Sequence, residues 1–520
     1  MAVRWAVVGP VLLVASLLAS GCGGSGQSLP PVHGAPEDAS LWQVPTDGVQ
    51  KAIDALPGMA QRAIEELGVP GMAIAVVHDD QLVFAEGFGV RRLGDDQQID
   101  PDTVFPVADL SVPVAATVVA RAVEQGGVRW TDPVRSYLPE FSLAEPVASN
   151  ATTIEDLFAQ RSGLPDQAGV LFADLGYSDE QVIEMLHAFP LRPFRTSYHY
   201  TEVGVLAAEA AVARAKNASW AELSRQLMFV PAGMTRTWVG EGPPDGNRAS
   251  PHARAGDGLA PSDREARPTE LWTTARDLAQ WMRVMLSAGR LGSDEVLDPE
   301  QVQNLITPRM TTNAPTSTAG RAGLYGLGVG ITVDEAGRVR LSHSGGSAAG
   351  VSASVAMLPA ERVGIAVLTN AEPTGAPEAI VAEFLERVET GGARRPWLEV
   401  YRSVFSGARE HPGSLPDAPP MDARPMSPLA AYTGTYHNDL YGDAQVVERD
   451  GHLVLRLGPR QREFTLEPYD GDILAVETRG EAAAGRQAVT FTVPPGRAAS
   501  SFSMTYLEVA PGLGTFTRVG

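Results

Sequence analysis

Lysine is almost missing from this sequence. Lys51 and Lys216 are the only two in 520 residues, and arginine supplies the rest of the 41 basic side chains. Arginine stays protonated in proteins, so chemistry that needs a neutral amine as proton acceptor has two candidates. Cysteine occurs once, as Cys22, which excludes an internal disulfide. Positive charge is in deficit: 41 Lys and Arg against 62 Asp and Glu leave a net charge of -21. A surface of that sign repels a phosphate backbone, so no nucleic-acid partner is expected. No short-period repeat is present. With 44% hydrophobic and 20% charged residues the chain reads as globular rather than disordered, and 520 residues exceed a single domain on ordinary priors.

The start of the chain reads as an export signal. Arg4 precedes an apolar run from Trp5 to Leu18, too short for a mature membrane span. The run ends in Leu18-Ala19-Ser20-Gly21-Cys22, which resembles a bacterial lipoprotein signal. Residues 1–22 are therefore expected to be a leader, with Cys22 as the first mature residue and the site of lipidation. That use would also explain a lone cysteine. Residues 23–37, rich in Gly, Ser and Pro, read as a flexible tether. The expected location is the bacterial cell envelope, on the periplasmic or extracellular side, with the membrane reached through the lipid.

Two domains are expected, 38–390 and 425–520, joined by a linker over 391–424. In the first, Val49–Leu67 has helical apolar spacing that Pro57-Gly58 threatens to interrupt. Met72–Val77 and Leu82–Gly89 flank Asp79-Asp80 as a hairpin. Val112–Gln125 reads as a long apolar helix closed by Gly126-Gly127, and Thr153–Gln160 and Thr273–Ser287 as further helices. Arg338–Ser342, Val351–Leu358 and Val363–Thr369 read as antiparallel strands before a terminal helix, Ala376–Val388. Helices framing an antiparallel sheet make an α+β layered domain. In the second domain seven short strands lie between Tyr432 and Leu507, with Asp450-Gly451 a hairpin turn. They predict a small, closed or nearly closed β-barrel.

Several phrases then resemble one family over roughly residues 50–388. GVPGMAIAVVHDDQLVFAEGFGV (68–90), DPVRSYLPEF (132–141), RSGLP (161–165), YGLGVG (325–330), LSHSGGSAAG (341–350) and VLTN (367–370) are similar to class C β-lactamases, penicillin-binding proteins and related esterases. LAAYTGTY (429–436) is similar to a lipocalin-like module appended to such hydrolases. The resemblance implies a β-lactamase/transpeptidase-like antiparallel sheet flanked by helices, with an all-β C-terminal domain. It also implies a serine mechanism. A Ser at the head of a helix attacks an acyl carbon, a Lys one turn later takes its proton, and Tyr and Asn assist opposite an H-x-G strand.

In that register FPVADLSV (105–112) places Asp109 at the Ser position and Val112 at the Lys position. HYTEVG (199–204) keeps Tyr200 and replaces the Asn with Glu202; His343-Ser344-Gly345 keeps the H-x-G strand. Gln160 stands where many members have His. A carboxylate attacking an ester would form an anhydride, and a valine offers no lone pair. Losing the nucleophile of such a unit typically costs about 10⁶ in turnover. Ser111 is two residues on, so about 200° around the helix and away from the cleft. The expected function is thus a ligand- or protein-binding pseudoenzyme of this serine hydrolase family. The alternative is an active hydrolase of an ester, amide or peptide bond through an altered site, with Asp109, Glu202 and His343 as candidate metal ligands. The plainer expectation for those carboxylates is solvation, or pairing with an arginine such as Arg161. No cofactor is expected. A cleft carrying two carboxylates would disfavour anionic ligands.

Overall fold

The structure, a computed structural model, describes residues 43–519 except 244–245, 256–257, 263–268, 316, 319, 335, 410–412 and 479. The leader, Cys22 and the tether at 23–37 lie outside the described residues.

The first domain is built on an eight-stranded antiparallel sheet. Its strands are β1 (Gly71–His78), β2 (Gln81–Gly89), β3 (Met310–Asn313), β4 (Gly323–Tyr325), β5 (Gly330–Val333), β6 (Val339–Ser347), β7 (Val351–Leu358) and β8 (Val363–Thr369), in the spatial order β3-β4-β5-β6-β7-β8-β1-β2. The β1–β2 hairpin turns on Asp79-Asp80, both at positive φ (48° and 62°), as the two acidic residues predict. Strand alternation divides the core in two. Met72, Ile74 and Val76 of β1 face one side, against helices α1 (Gly48–Leu67) and α5 (Ala376–Thr390). Ala73, Ala75 and Val77 face the other, with α2 (Ser111–Glu124) and α4 (Ala275–Leu286). Each buried Val or Ile contributes roughly 1.5–3 kcal/mol.

Two expectations about helices needed correction. Pro57-Gly58 does not interrupt α1, which runs unbroken over 20 residues. Pro57 lies on the exposed side, while Ala52, Leu56, Met59, Ala60 and Ala63 remain buried. The stretch 391–424 is not only a linker: it contains helix α6 (Trp397–Arg409), packed on α5. Arg394-Arg395-Pro396 reads as loop, yet Trp397, Tyr401 and Phe405 recur every four residues behind it, one helical face.

The site-bearing helix is α2. A 3₁₀ turn over Ala108–Leu110 leads into it, and Val112 to Ala120 are all buried. Gly126 and Gly127, at φ 78° and 84°, turn the chain away after its end. Packed against α2 is α3 (Glu202–Lys216), capped by Thr201, whose Oγ1 accepts the Gly204 N–H at 3.0 Å.

The second domain is a closed eight-stranded barrel: β9 (Gly434–Asn438), β10 (Gly442–Arg449), β11 (His452–Leu457), β12 (Arg462–Asp470), β13 (Ile473–Glu477), β14 (Arg486–Thr492), β15 (Ser501–Met504) and β16 (Thr515–Arg518). The strand missing from the sequence reading is β16, which closes the barrel by pairing with β9. Tyr436, Phe491, Phe502 and Phe516 are buried and in ring contact, with the last two stacked at 4.7 Å. The barrel docks on the segment 170–177: Phe172 stacks on Tyr441 at 5.2 Å, Tyr177 Oη donates to the Tyr441 carbonyl at 2.8 Å, and Arg462 donates to the Asp174 carbonyl at 2.8 Å. Among the described residues no helix is long and apolar enough to cross a membrane.

Candidate functional site

Ala108, just before α2, has φ 45°, a left-handed conformation that costs a non-glycine residue roughly 1–2 kcal/mol. The turn is held in this shape from outside. Gly345 of β6 lies directly on it, so close that a Cβ there would sit 2.4 Å from both the Val107 carbonyl oxygen and the Leu110 nitrogen. Strand and turn can meet at this distance only through glycine. The contact presents Asp109 to the cleft, where its Oδ1 accepts a hydrogen bond from Tyr200 Oη at 3.1 Å.

Tyr200 is fixed by a second buried framework. Asp156, in a short helix over Ile154–Phe158, receives Arg161 Nε at 2.7 Å and Arg195 Nη2 at 2.6 Å, which ties the turns at 161 and 195 to that helix. These hydrogen bonds hold its carboxyl below the usual range against the opposing effect of burial. Gln160, buried and at φ 57°, accepts the Thr201 N–H on its side chain (2.9 Å) and the His199 N–H on its carbonyl (3.0 Å). Asp166 accepts the Tyr200 N–H at 2.9 Å. Burial, with the Asp109 carboxylate next in weight, pushes the Tyr200 phenol well above its ordinary value, so it acts as a neutral donor.

The opposite wall carries His343 on β6. Its Nε2 lies 3.1 Å from Tyr325 Oη, and its ring centroid is 6.0 Å from that of Tyr200. Burial lowers its pKa to about 4, so the imidazole is neutral at pH 7. The YGLGVG phrase by itself gives Tyr325 no role, yet the structure sets it against His343 and packs the Tyr198 ring on it at 5.1 Å. The tyrosine that opens the phrase was the available signal.

The remaining residues separate. Glu202, the first residue of α3, lines the same cavity as Asp109, a space of about 1080 Å³. Val112 does not: it is 1% exposed and packs toward Gly328. Ser111 opens onto a separate recess with Val114, Val118, Phe229 and Leu271. Lys51 pairs with Asp47 at 2.7 Å. Lys216 donates to the Gly126 carbonyl at the far end of α3, about 21 Å along the helix from Glu202. Both lysines are thus engaged elsewhere. Arg161 pairs with Glu155 and Asp156, which removes it as the expected partner of Asp109 or Glu202. Among the described residues no three His, Cys, Asp or Glu side chains gather as a metal site, so Asp109, Glu202 and His343 do not form one. His343 is turned to Tyr325 instead.

Residues 50–388, which carry the α2 turn, Tyr200 and the His343–Gly345 strand, match the family model for beta-lactamase. The chain belongs to the beta-lactamase family. Residues 418–514 match a domain of unknown function, DUF3471. Among curated relatives, this beta-lactamase-family chain is 24% identical over 447 residues to unguisins hydrolase ungD of Aspergillus violaceofuscus, covering 74% of this chain and 75% of that one. It is 23% identical over 326 residues to the D-alanyl-D-alanine-carboxypeptidase/endopeptidase AmpH of Escherichia coli, covering 59% and 80%. The octameric penicillin-binding protein homologue from Pyrococcus abyssi shares the fold at TM-score 0.58 and 18% identity, over 89% of this chain and 100% of that one. EstCE1, a hydrolase with promiscuous acyltransferase activity, aligns at TM-score 0.56 and 16% identity, over 66% and 100%.

Proposed function

We propose that this chain is a catalytically silent, ligand-binding member of the family, tethered in the cell envelope through a lipid on Cys22. The observation that supports it is the head of α2. The carboxylate of Asp109 is engaged by Tyr200, and position 112, one turn on, is a buried valine. No group at that point can be both acylated and deprotonated by a neighbour. The cleft is still built to hold something. Its 1080 Å³ exceeds the roughly 300–1,000 Å³ of small-molecule sites, which favours an extended ligand. Among its described lining residues nine are Asp or Glu, and only Arg214 and Arg460 are basic, so a neutral or cationic chain fits better than an anion. The relatives named for hydrolysing a D-alanyl-D-alanine bond and unguisins suggest a peptide.

The test is exposure to a chromogenic cephalosporin, p-nitrophenyl acetate and a fluorescent penicillin. The expected result is neither turnover nor a covalent adduct in the wild-type chain, and a labelled adduct after Asp109→Ser with Val112→Lys. Turnover that Asp109→Ala abolishes would overturn the proposal. Palmitate incorporation, lost in Cys22→Ser, tests the anchor. One observation favours the alternative of an active hydrolase with an altered site. The strained Ala108 turn and its Gly345 support remain fully assembled, and strain of this kind clusters at active sites.

A further inference from the structure

The cavity that begins at Asp109 is not closed by the first domain alone. Gly480 and Glu481, from the β13–β14 loop of the barrel, and Arg460, from its β11–β12 loop, also line it. The β13–β14 loop is fastened at both ends. Within the barrel, Thr478 Oγ1 donates to the Gly485 carbonyl and accepts the Ala484 N–H, each at 2.8 Å. Toward the first domain, the Ala482 N–H donates to Asp174 Oδ2 at 2.8 Å. Between these ties Glu481 reaches β6, where the Ser347 hydroxyl donates to its Oε2.

Ser347 is two residues beyond Gly345, hence about 7 Å along the strand, and Gly345 rests on the Asp109 turn. A peptide held beside Asp109 and Tyr200 and running out along β6 therefore reaches Glu481 within about two to three of its own residues, at roughly 3.3 Å each. A carboxylate accepts hydrogen bonds and attracts cations, but donates nothing.

We infer that the barrel is the selectivity wall of the cleft, and that Glu481 selects ligands carrying an ammonium or guanidinium group two to three residues from the end held at Asp109. This deepens the reading of the cleft as a peptide site and rests on it. It also gives the barrel a function that its packed aromatic interior does not supply.

The experiment uses the full-length chain and three probes, all C-terminal amides: N-acetyl-D-Ala-D-Ala amide, the fluorescein-labelled peptide (Gly-Lys)₃-D-Ala-D-Ala amide, and its Glu counterpart. Wild type should bind the Lys peptide about two- to fivefold more tightly than the Glu peptide, the scale of one solvent-exposed charge pair. Glu481→Lys should erase or invert that ratio while leaving dipeptide binding unchanged, and Glu481→Gln should fall between. Glu448→Lys, an equal charge change on an exposed barrel strand away from the cavity, should leave the ratio intact. A dipeptide that binds while Glu481→Lys and Glu448→Lys give the same ratio overturns the role of Glu481 alone. Failure of all three probes to bind overturns the peptide reading of the cleft, and this inference with it.

Discussion

Gly345→Ala is the sharpest mechanical test of how the cleft is assembled. The added methyl would lie 2.4 Å from the Leu110 nitrogen and the Val107 oxygen, and 2.9 Å from the Asp109 nitrogen. Ordinary van der Waals contact would require about 1 Å more clearance. All three obstructing atoms are backbone, so no side chain can swing aside. Either β6 lifts from the sheet, weakening its pairing with β7, or the turn retreats into the core around Leu110, which is 0% exposed. Overpacking of this kind costs typically about 1–3 kcal/mol, and more where the backbone itself must move. The expected result in denaturant or calorimetric unfolding is a loss of at least about 2 kcal/mol, with a fall of several degrees in Tm. The same substitution at Gly58 controls for the chemistry of the change. Gly58 lies in the interior of α1, on its exposed side, with only an Arg62 side-chain atom near the new methyl at 3.8 Å. There the loss of chain entropy in the unfolded state and the better helix propensity should stabilise by about 0.5–1 kcal/mol. The reasoning is refuted if Gly345→Ala is as stable as wild type, or if both substitutions move stability the same way.

Two further predictions concern opposite faces of β6. His343 is buried and neutral, with a pKa lowered to about 4 from an ordinary 6.5. The unfolded chain therefore binds a proton there that the folded chain refuses between those values. Its contribution is fully present above pH 6.5 and is lost as pH falls to 4, by about 3 kcal/mol; urea titrations at several pH values should show a shallower acid loss in His343→Gln than in wild type. Behind the strand, Glu378 has an Oε2 atom shut off from solvent without a hydrogen-bond partner, and burial raises its pKa to about 7 from 4.5. Here the folded chain keeps a proton that the unfolded chain has released, so stability present below pH 4.5 is lost as pH rises to 7. Glu378→Gln should therefore be more stable than wild type at pH 8, by on the order of 2 kcal/mol after discounting for the part of the side chain that solvent reaches, and should lose that advantage at pH 5.

The sheet and the barrel were legible because each has a strong local signal. Alternating apolar strands around Asp79-Asp80 and Asp450-Gly451 leave few other pairings open. Helix α6 was hidden because its identifying face is only three aromatic residues behind an Arg-Arg-Pro sequence, and β16 because four residues at a chain end carry little pattern. At the site, the gapless phrase FPVADLSV located Asp109, and the structure set Tyr200 beside it. The Asp156–Arg161–Arg195 cluster was illegible for a physical reason. Its members are 5 and 39 residues apart, and charged residues on a short helix or in a loop read as solvated until tertiary structure brings them together. The same holds for Glu481 at Ser347, 134 residues distant and in a different domain.

The groups that shape this cleft differ from those that would do chemistry in it. Gly345 sets the turn, Asp156 with two arginines sets the loops, and Gln160 sets the Tyr200 segment, each through backbone contacts or buried hydrogen bonds. None depends on what side chain is presented at position 109 or 112. A serine and a lysine there would add little to folding, since one is small and the other must hold a charge beside an apolar helix core. The scaffold can therefore do without either at no cost in stability and keep a precise cavity. Burial of the Val112 side chain contributes about 1.5–3 kcal/mol. Stability and acyl chemistry thus pull in opposite directions at this one position, so Val112→Lys should cost stability even as it places a base one turn from position 109. A variant whose acylation returned with no loss of stability would break that link.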